Sequence, residues 1–159
     1  MTCAEVSSTI RVMDVPRTLA DLLAEAERVV ERLQPAQAFS RVDAGAFLVD
    51  IRSSDSRRRD GGVPRSCHLP RTVLEWRLEP GGAWRTPHVP EGARVVVLCD
   101  HGDSSVLAAA SLVAIGVEAA DIAGGFAAWR AAGLPVASAD DAPLAPGELA
   151  GMRPPAPSS

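Results

Sequence analysis

The sequence predicts an α/β fold built on a mainly parallel sheet. Short apolar runs bounded by polar turns alternate with segments of helical period. The strongest run, Arg94-Val95-Val96-Val97-Leu98-Cys99, passes within a few residues into the apolar helical stretch Val106–Ile115, closed by Gly116. A second run, Ala46-Phe47-Leu48-Val49-Asp50-Ile51, is apolar at successive positions, the pattern of a strand buried on both faces.

Each element follows in order. Residues 1–17 show no period and are expected to be loose. One helix is expected over residues 18–34, with Leu19, Leu22, Leu23, Ala26, Val29, Val30 and Leu33 at helical spacing. Thr18 suits its N-cap, Asp21 stands three residues on, and Pro35 stops it. Glu25, Arg28, Glu31 and Arg32 would form its solvated face. A short helix over 36–42 feeds the strand at 46–51. Residues 52–66 read mostly as loop, with at most one helical turn, and Arg57-Arg58-Arg59 as a solvated face. Cys67-His68-Leu69 reads as a short strand ending at Pro70, and Thr72–Leu78 as a short helix. Residues 80–92, rich in Gly and Pro, form a long loop. A weak strand, Ala119–Ile122, leads to Gly124-Gly125 and a helix over Phe126–Ala132, ended by Gly133 and Pro135. From Ser138 the chain holds five Pro and no apolar period, so residues 138–159 are expected to be a disordered tail.

Composition narrows the function. At 159 residues, 47% apolar and 23% charged, the chain fits one globular domain. Sixteen basic against twenty acidic residues give a net charge of −4, which argues against a general nucleic-acid binder. Every cation is Arg. Without Lys there is no Schiff-base lysine, no pyridoxal phosphate anchor and no P-loop lysine. Cys3, Cys67 and Cys99 are too few, and odd in number, for a disulfide framework, which fits a reducing compartment. The first twenty residues lack a basic stretch followed by a continuous apolar one, so no secretory signal is read. Val106–Val117 is too short to span a bilayer. A cytoplasmic protein with no membrane partner is expected.

Chemistry is sought where a parallel sheet ends, at the carboxyl ends of its strands. Cys99 stands there, after the best strand and about five residues before a helix. Gly102 lets the linking loop curve and turn several N–H groups inward. Those amides and the positive helix end favour an anion beside the sulfur, and so the thiolate. Ser104 and Ser105 can cap the helix and donate hydroxyl hydrogen bonds into the same cup. The arrangement suits a nucleophilic cysteine, with Asp100, His101, Gly102, Asp103, Ser104 and Ser105 around the substrate.

Cys99-Asp100-His101-Gly102-Asp103-Ser104 resembles the active-site loop of rhodanese-like sulfurtransferases, Cys-x-x-Gly-x-x before a helix. The form Cys-x-His-Gly-x-Ser-Ser is similar to the single-domain thiosulfate sulfurtransferases of that family. Upstream, Asp50-Ile51-Arg52 resembles the family's Asp-x-Arg at the end of an early strand. Downstream, Gly124-Gly125-Phe126-Ala127-Ala128-Trp129, with Gly133-Leu134-Pro135, is close to its Gly-Gly-x-x-x-Trp…Gly-x-Pro ending. The likeness covers about residues 35–137, leaving the helix over 18–34 as an addition. It implies a central, mainly parallel five-stranded sheet flanked by helices. It also implies sulfane-sulfur transfer through a Cys99 persulfide, from thiosulfate or a persulfide to cyanide, a thiol or a protein, with no cofactor. Two departures stand out. The family's Gly-His-x-Pro-Gly-Ala is Gly61-Gly62-Val63-Pro64-Arg65-Ser66 here, without the His. Where many family loops carry basic residues after the Cys, this one carries Asp100 and Asp103, which would repel an anionic donor.

Other readings rank lower. Phosphatases of related architecture need Cys-x5-Arg, and the Arg position is Ser105. A non-catalytic interaction or sulfur-sensing module is the alternative, against which the retained Cys99 speaks. Cys67 reads as core, and Cys3 as inert. Neither Cys67-His68 nor Cys99-x-His101 has zinc-pair spacing, so no metal is expected. His101 either tunes Cys99 or faces solvent. Asp50 and Arg52 are expected to be structural, since buried charges need partners, and the family resemblance implies that the pair braces the loop. Trp76, Trp84 and Trp129 are assigned to core or pocket rim.

Overall fold

The computed structural model describes residues 15–138. The segments expected to be loose at 1–17 and 138–159, and Cys3 with them, lie outside the described residues apart from 15–17 and 138. In chain order the elements are α1 (Leu19–Val29), β1 (Glu31–Leu33), α2 (Pro35–Asp43), β2 (Phe47–Asp50), α3 (Ser54–Asp60) and β3 (Cys67–His68). A 3-10 turn, Arg71–Val73, opens α4 (Leu74–Leu78). Then come β4 (Val95–Leu98), α5 (Asp103–Ala114), β5 (Ala119–Ile122) and α6 (Gly125–Ala131).

The five strands form one sheet in the order β1-β5-β4-β2-β3, and every pair is parallel. Alternation along β4 divides the core. Val95 and Val97 pack with Val49 against Ala26 of α1, Leu74 and Leu78 of α4, and Val106, Ala109 and Leu112 of α5. Val96 and Leu98 pack with Leu48 on the other face, against Ala38 of α2 and Phe126 and Trp129 of α6. Helices therefore cover both faces, which is why β2 and β4 read as unbroken apolar runs.

Two elements differ from the sequence expectation. The helix expected over 18–34 begins as read, with Thr18 and Asp21 forming a reciprocal capping box, but it ends at Val29. Glu31–Leu33 instead forms the edge strand, in register with Ala120–Ile122 of β5. Leu33 falls at helical spacing from Val29 and Val30, so either conformation buries it. Pairing with an otherwise open sheet edge decides for the strand. Residues 54–60 form a helix of seven residues, where mostly loop was expected. Ser53 caps it by accepting from the Ser56 amide.

The arginine run is not uniformly solvated. Arg58 and Arg59 are exposed, whereas Arg57 is buried and its Nε stands 3.3 Å from Asp50 Oδ2. This two-turn helix turns Arg57 inward and the next two arginines toward solvent. Trp129 is buried and donates from Nε1 to the Pro135 carbonyl at 2.9 Å, fixing the chain after α6. Trp84 is half-buried, and Trp76 is exposed on α4 rather than part of the core. Cys67 is half-buried in β3 beside the core. His68 is buried, and burial holds its imidazole below the usual range, so it is neutral at pH 7. Its Nε2 lies 2.8 Å from the Arg52 carbonyl, to which the N–H tautomer donates.

Candidate active site

The chain reverses its direction of travel across the sheet between β2 and β4. An open parallel sheet leaves a crevice at such a point, beyond the carboxyl ends of its strands. A cavity of about 300 Å³ lies there. Ile51, Arg52 and Ser53 line it from the end of β2, and Cys99, Asp100, His101, Asp103 and Ser104 from the end of β4.

Cys99 is 6% exposed, enough to present one side of its sulfur to the cavity. The Gly102 N–H donates to Sγ at 3.0 Å and the Ser105 N–H at 3.3 Å. Two amides aimed at one sulfur make a cradle for negative charge. The cap of α5 differs from expectation. Gly102, not Ser104 or Ser105, is the N-cap; its φ of 96° is left-handed, and no side chain caps the helix. A Cβ there would come within 2.7 Å of the Gly124 amide nitrogen, so glycine is required for space as well as for φ. Gly125 has the same duty. A Cβ on it would lie 2.5 Å from the Cys99 carbonyl oxygen, which accepts from the Phe126 N–H at 2.8 Å. The Gly124-Gly125 pair thus lets α6 dock directly on the loop.

The structure brings the other sequence-expected residues to the same place with different exposures. Asp100 is half-buried, while His101, Asp103 and Ser104 are exposed on the rim. His101 also borders an adjoining hollow lined by Asp100, Phe126, Arg59 and Arg130. Ser105 is buried behind the sulfur rather than facing the cavity; its Oγ lies 3.3 Å from Cys99 Sγ. Asp50 and Arg52 are both buried and ion-paired, with Arg52 Nη2 at 2.7 Å from Asp50 Oδ2. Asp50 Oδ1 also accepts from the Arg52 N–H at 3.0 Å, and Arg52 Nη2 donates to the Gly61 carbonyl at 2.8 Å. The Arg52 guanidinium lies 3.8 Å over the Phe126 ring. That cation–π contact compensates Nη1, which has no hydrogen-bond partner. Among the described residues no group of three His, Cys, Asp or Glu side chains converges as a metal site.

Sequence reasoning missed two residues next to this loop. Asp121 is fully buried in β5, and Arg32 of β1 pairs with it through Nε and Nη2, each at 3.1 Å. Arg32 Nη2 also donates to the Gly102 carbonyl at 2.7 Å. The one available signal was an acid set between Ala120 and Ile122 in an apolar strand, which demands a buried partner.

Fold and loop together define a parallel α/β domain that presents a cradled cysteine at its switch point. The chain belongs to the rhodanese-like domain family, whose model matches residues 34–132. It is 32% identical over 102 residues to the thiosulfate sulfurtransferase GlpE of Pseudomonas savastanoi pv. phaseolicola, covering 64% of this chain and 88% of that one. A Rhodopseudomonas palustris protein of unknown function, described as a possible tyrosine phosphatase, is 34% identical with a TM-score of 0.71, covering 77% of this chain and 96% of that one. A rhodanese-related protein of Thermoplasma volcanium, 22% identical with a TM-score of 0.56 over 67% of this chain and 97% of that one, shares the fold. No helix among the described residues is long and apolar enough to cross a membrane.

Proposed function

We propose that the protein is a sulfurtransferase that moves a sulfane sulfur from a donor to a thiophilic acceptor through a persulfide on Cys99. The single observation that carries this reading is the pair of backbone N–H groups at 3.0 and 3.3 Å from Cys99 Sγ at the floor of the cavity. With thiosulfate as donor, the Cys99 thiolate attacks the outer sulfur, the S–S bond breaks, and sulfite leaves with the electron pair. The product is Cys99–S–S⁻. Cyanide, a thiolate or a protein thiolate then attacks the outer persulfide sulfur, and the Cys99 thiolate leaves. Both half-reactions balance without an external oxidant or bound cofactor. The amides that favour the thiolate also serve the persulfide anion. The working unit runs over the expected residues 35–137, extended by β1. The free Cys99 thiol suits a cytoplasmic setting.

Turnover separates this reading from its competitors. Thiosulfate and cyanide varied together should give the parallel lines of ping-pong kinetics. No Cys99-dependent hydrolysis of aryl phosphates is expected, because Ser105 occupies the position of the oxyanion-clamping Arg. If neither thiosulfate nor a protein persulfide supports turnover, the non-catalytic module replaces the enzyme.

The rim charges set the donor preference. Asp103 is exposed at the first position of α5 and lines the cavity with Cys99 and Asp100. Like charge there slows the approach of thiosulfate, and salt screens the effect over roughly 8–10 Å. Asp103→Lys should therefore raise kcat/KM for thiosulfate by about threefold to tenfold at low ionic strength, an effect of about 1 kcal/mol. The gain should shrink as salt is added, and a neutral donor should change much less. Unchanged or lower thiosulfate turnover at every salt concentration would show that the Asp103 carboxylate does not reach the donor's path.

A further inference from the structure

Ser105 Oγ has three neighbours but only one proton to give. Asp121 Oδ2 lies at 2.9 Å, the Gly102 carbonyl at 3.3 Å and Cys99 Sγ at 3.3 Å. The shorter contact to a charged acceptor takes the hydroxyl proton, which turns the oxygen lone pairs toward the sulfur. That orientation suits a thiol donating S–H to Ser105, and it leaves a thiolate facing an acceptor. The contacts then close on themselves. Asp121 holds Arg32, Arg32 holds the Gly102 carbonyl, and the Gly102 N–H returns to the sulfur at 3.0 Å.

We propose that Ser105 and Asp121 form a proton relay behind Cys99, with Arg32 fixing the carboxylate and the loop. The inference rests on Cys99 being the sulfur carrier. In one step the Cys99 S–H bond breaks and its proton bonds to Ser105 Oγ, while the original Ser105 O–H bond breaks and that proton bonds to Asp121 Oδ2. One proton moves from sulfur to carboxylate through the hydroxyl, no electron changes owner, and the site keeps its charge. Ser105 then donates to the thiolate, completing three donors on the sulfur. When an acceptor takes the sulfane sulfur, the returning thiolate can recover the proton by the same path. Asp121 takes the proton but makes no contact with the sulfur, so it acts on Cys99 only through Ser105.

The environment of Asp121 supports the role. Burial raises its carboxyl above the usual range, against the opposing pull of Arg32 and of the Ser105 hydroxyl. From α1, Glu27 faces the same guanidinium at 3.0 Å and adds to the rise. Facing Cys99 from the other side are Arg52, Asp100, His101 and Asp103 along the cavity. These rim groups remain in place in the variants proposed below.

Two acids that share a proton titrate as a pair, in two macroscopic steps. The test is the rate of alkylation of Cys99 by iodoacetamide against pH, resolved from the other cysteines by peptide mass. Wild type should show two rises with a plateau between them, the plateau being the relayed thiolate. Asp121→Asn should lose one of the two steps. Ser105→Ala should lose the same step while keeping the Asp121–Arg32 ion pair, so it decides the matter if the Asn variant folds poorly. Profiles identical in wild type and Ser105→Ala, or a single step in wild type, would overturn the relay. Alkylation reads the thiol whether or not sulfur is transferred, so failure of the sulfurtransferase reading leaves this result readable.

Discussion

Cys99→Ser should lower kcat/KM for sulfur transfer by about three orders of magnitude or more while the fold stays intact. A serine hydroxyl is largely protonated near neutral pH and cannot carry a sulfane sulfur as a persulfide. Its oxygen nonetheless occupies the position where Cys99 Sγ accepts from the Gly102 and Ser105 amides, so the loop keeps its hydrogen bonds. Thermal unfolding of the variant should accordingly lie close to wild type. Cys67→Ser, half-buried in β3, should retain turnover. Activity lost in the Cys67 variant and kept in the Cys99 variant would assign the chemistry to Cys67 and overturn the proposal.

Asp50→Asn should destabilise the protein by about 3–5 kcal/mol, the range for removing one partner from a buried ion pair. Asp50 faces two buried guanidiniums, Arg52 at 2.7 Å and Arg57 at 3.3 Å, with side chains 0% and 4% exposed. An amide preserves shape and one acceptor, but it removes the negative charge that both guanidiniums face. Asp55→Asn, which breaks the exposed Asp55–Arg58 pair on the helix that carries Arg57, should change stability by under about 1 kcal/mol. Urea unfolding of the two variants side by side gives the comparison. Equal and small losses would mean that the Asp50 cluster is hydrated and adds little to stability.

The difference between these carboxylates was only half visible in the sequence. Asp50 closes an apolar strand, so its burial and its need for a partner follow from pattern and physics, and the family resemblance pointed to Arg52. Arg57 did not follow, because three consecutive arginines carry no period and the face that turns inward is set by a helix too short to announce itself. The strand β4, the loop after it and the Gly124-Gly125 turn were legible, since each has a local signature: an apolar run, a glycine before a helix, a glycine pair after a strand. Glu31–Leu33 was not, because three residues are too few to show alternation and their apolar spacing continues that of α1. The Arg32–Asp121 pair joins residues far apart in sequence, and only the parallel register of β1 with β5 sets them side by side. Long-range pairing leaves no mark on either segment alone. Local geometry is therefore what the sequence discloses best, and the polar support behind the cysteine is what it hides.

Intact mass spectrometry after exposure to a sulfur donor tests Cys99 as the carrier most directly. Wild type and Cys67→Ser, incubated with thiosulfate or a protein persulfide and freed of excess donor, should each gain the mass of one sulfur, and cyanide should remove it. Cys99→Ser should gain none. Peptide mapping should place the added sulfur on Cys99. A Cys99→Ser protein that still takes up one cyanide-labile sulfur, or a wild type that takes up none from either donor, would contradict the persulfide mechanism.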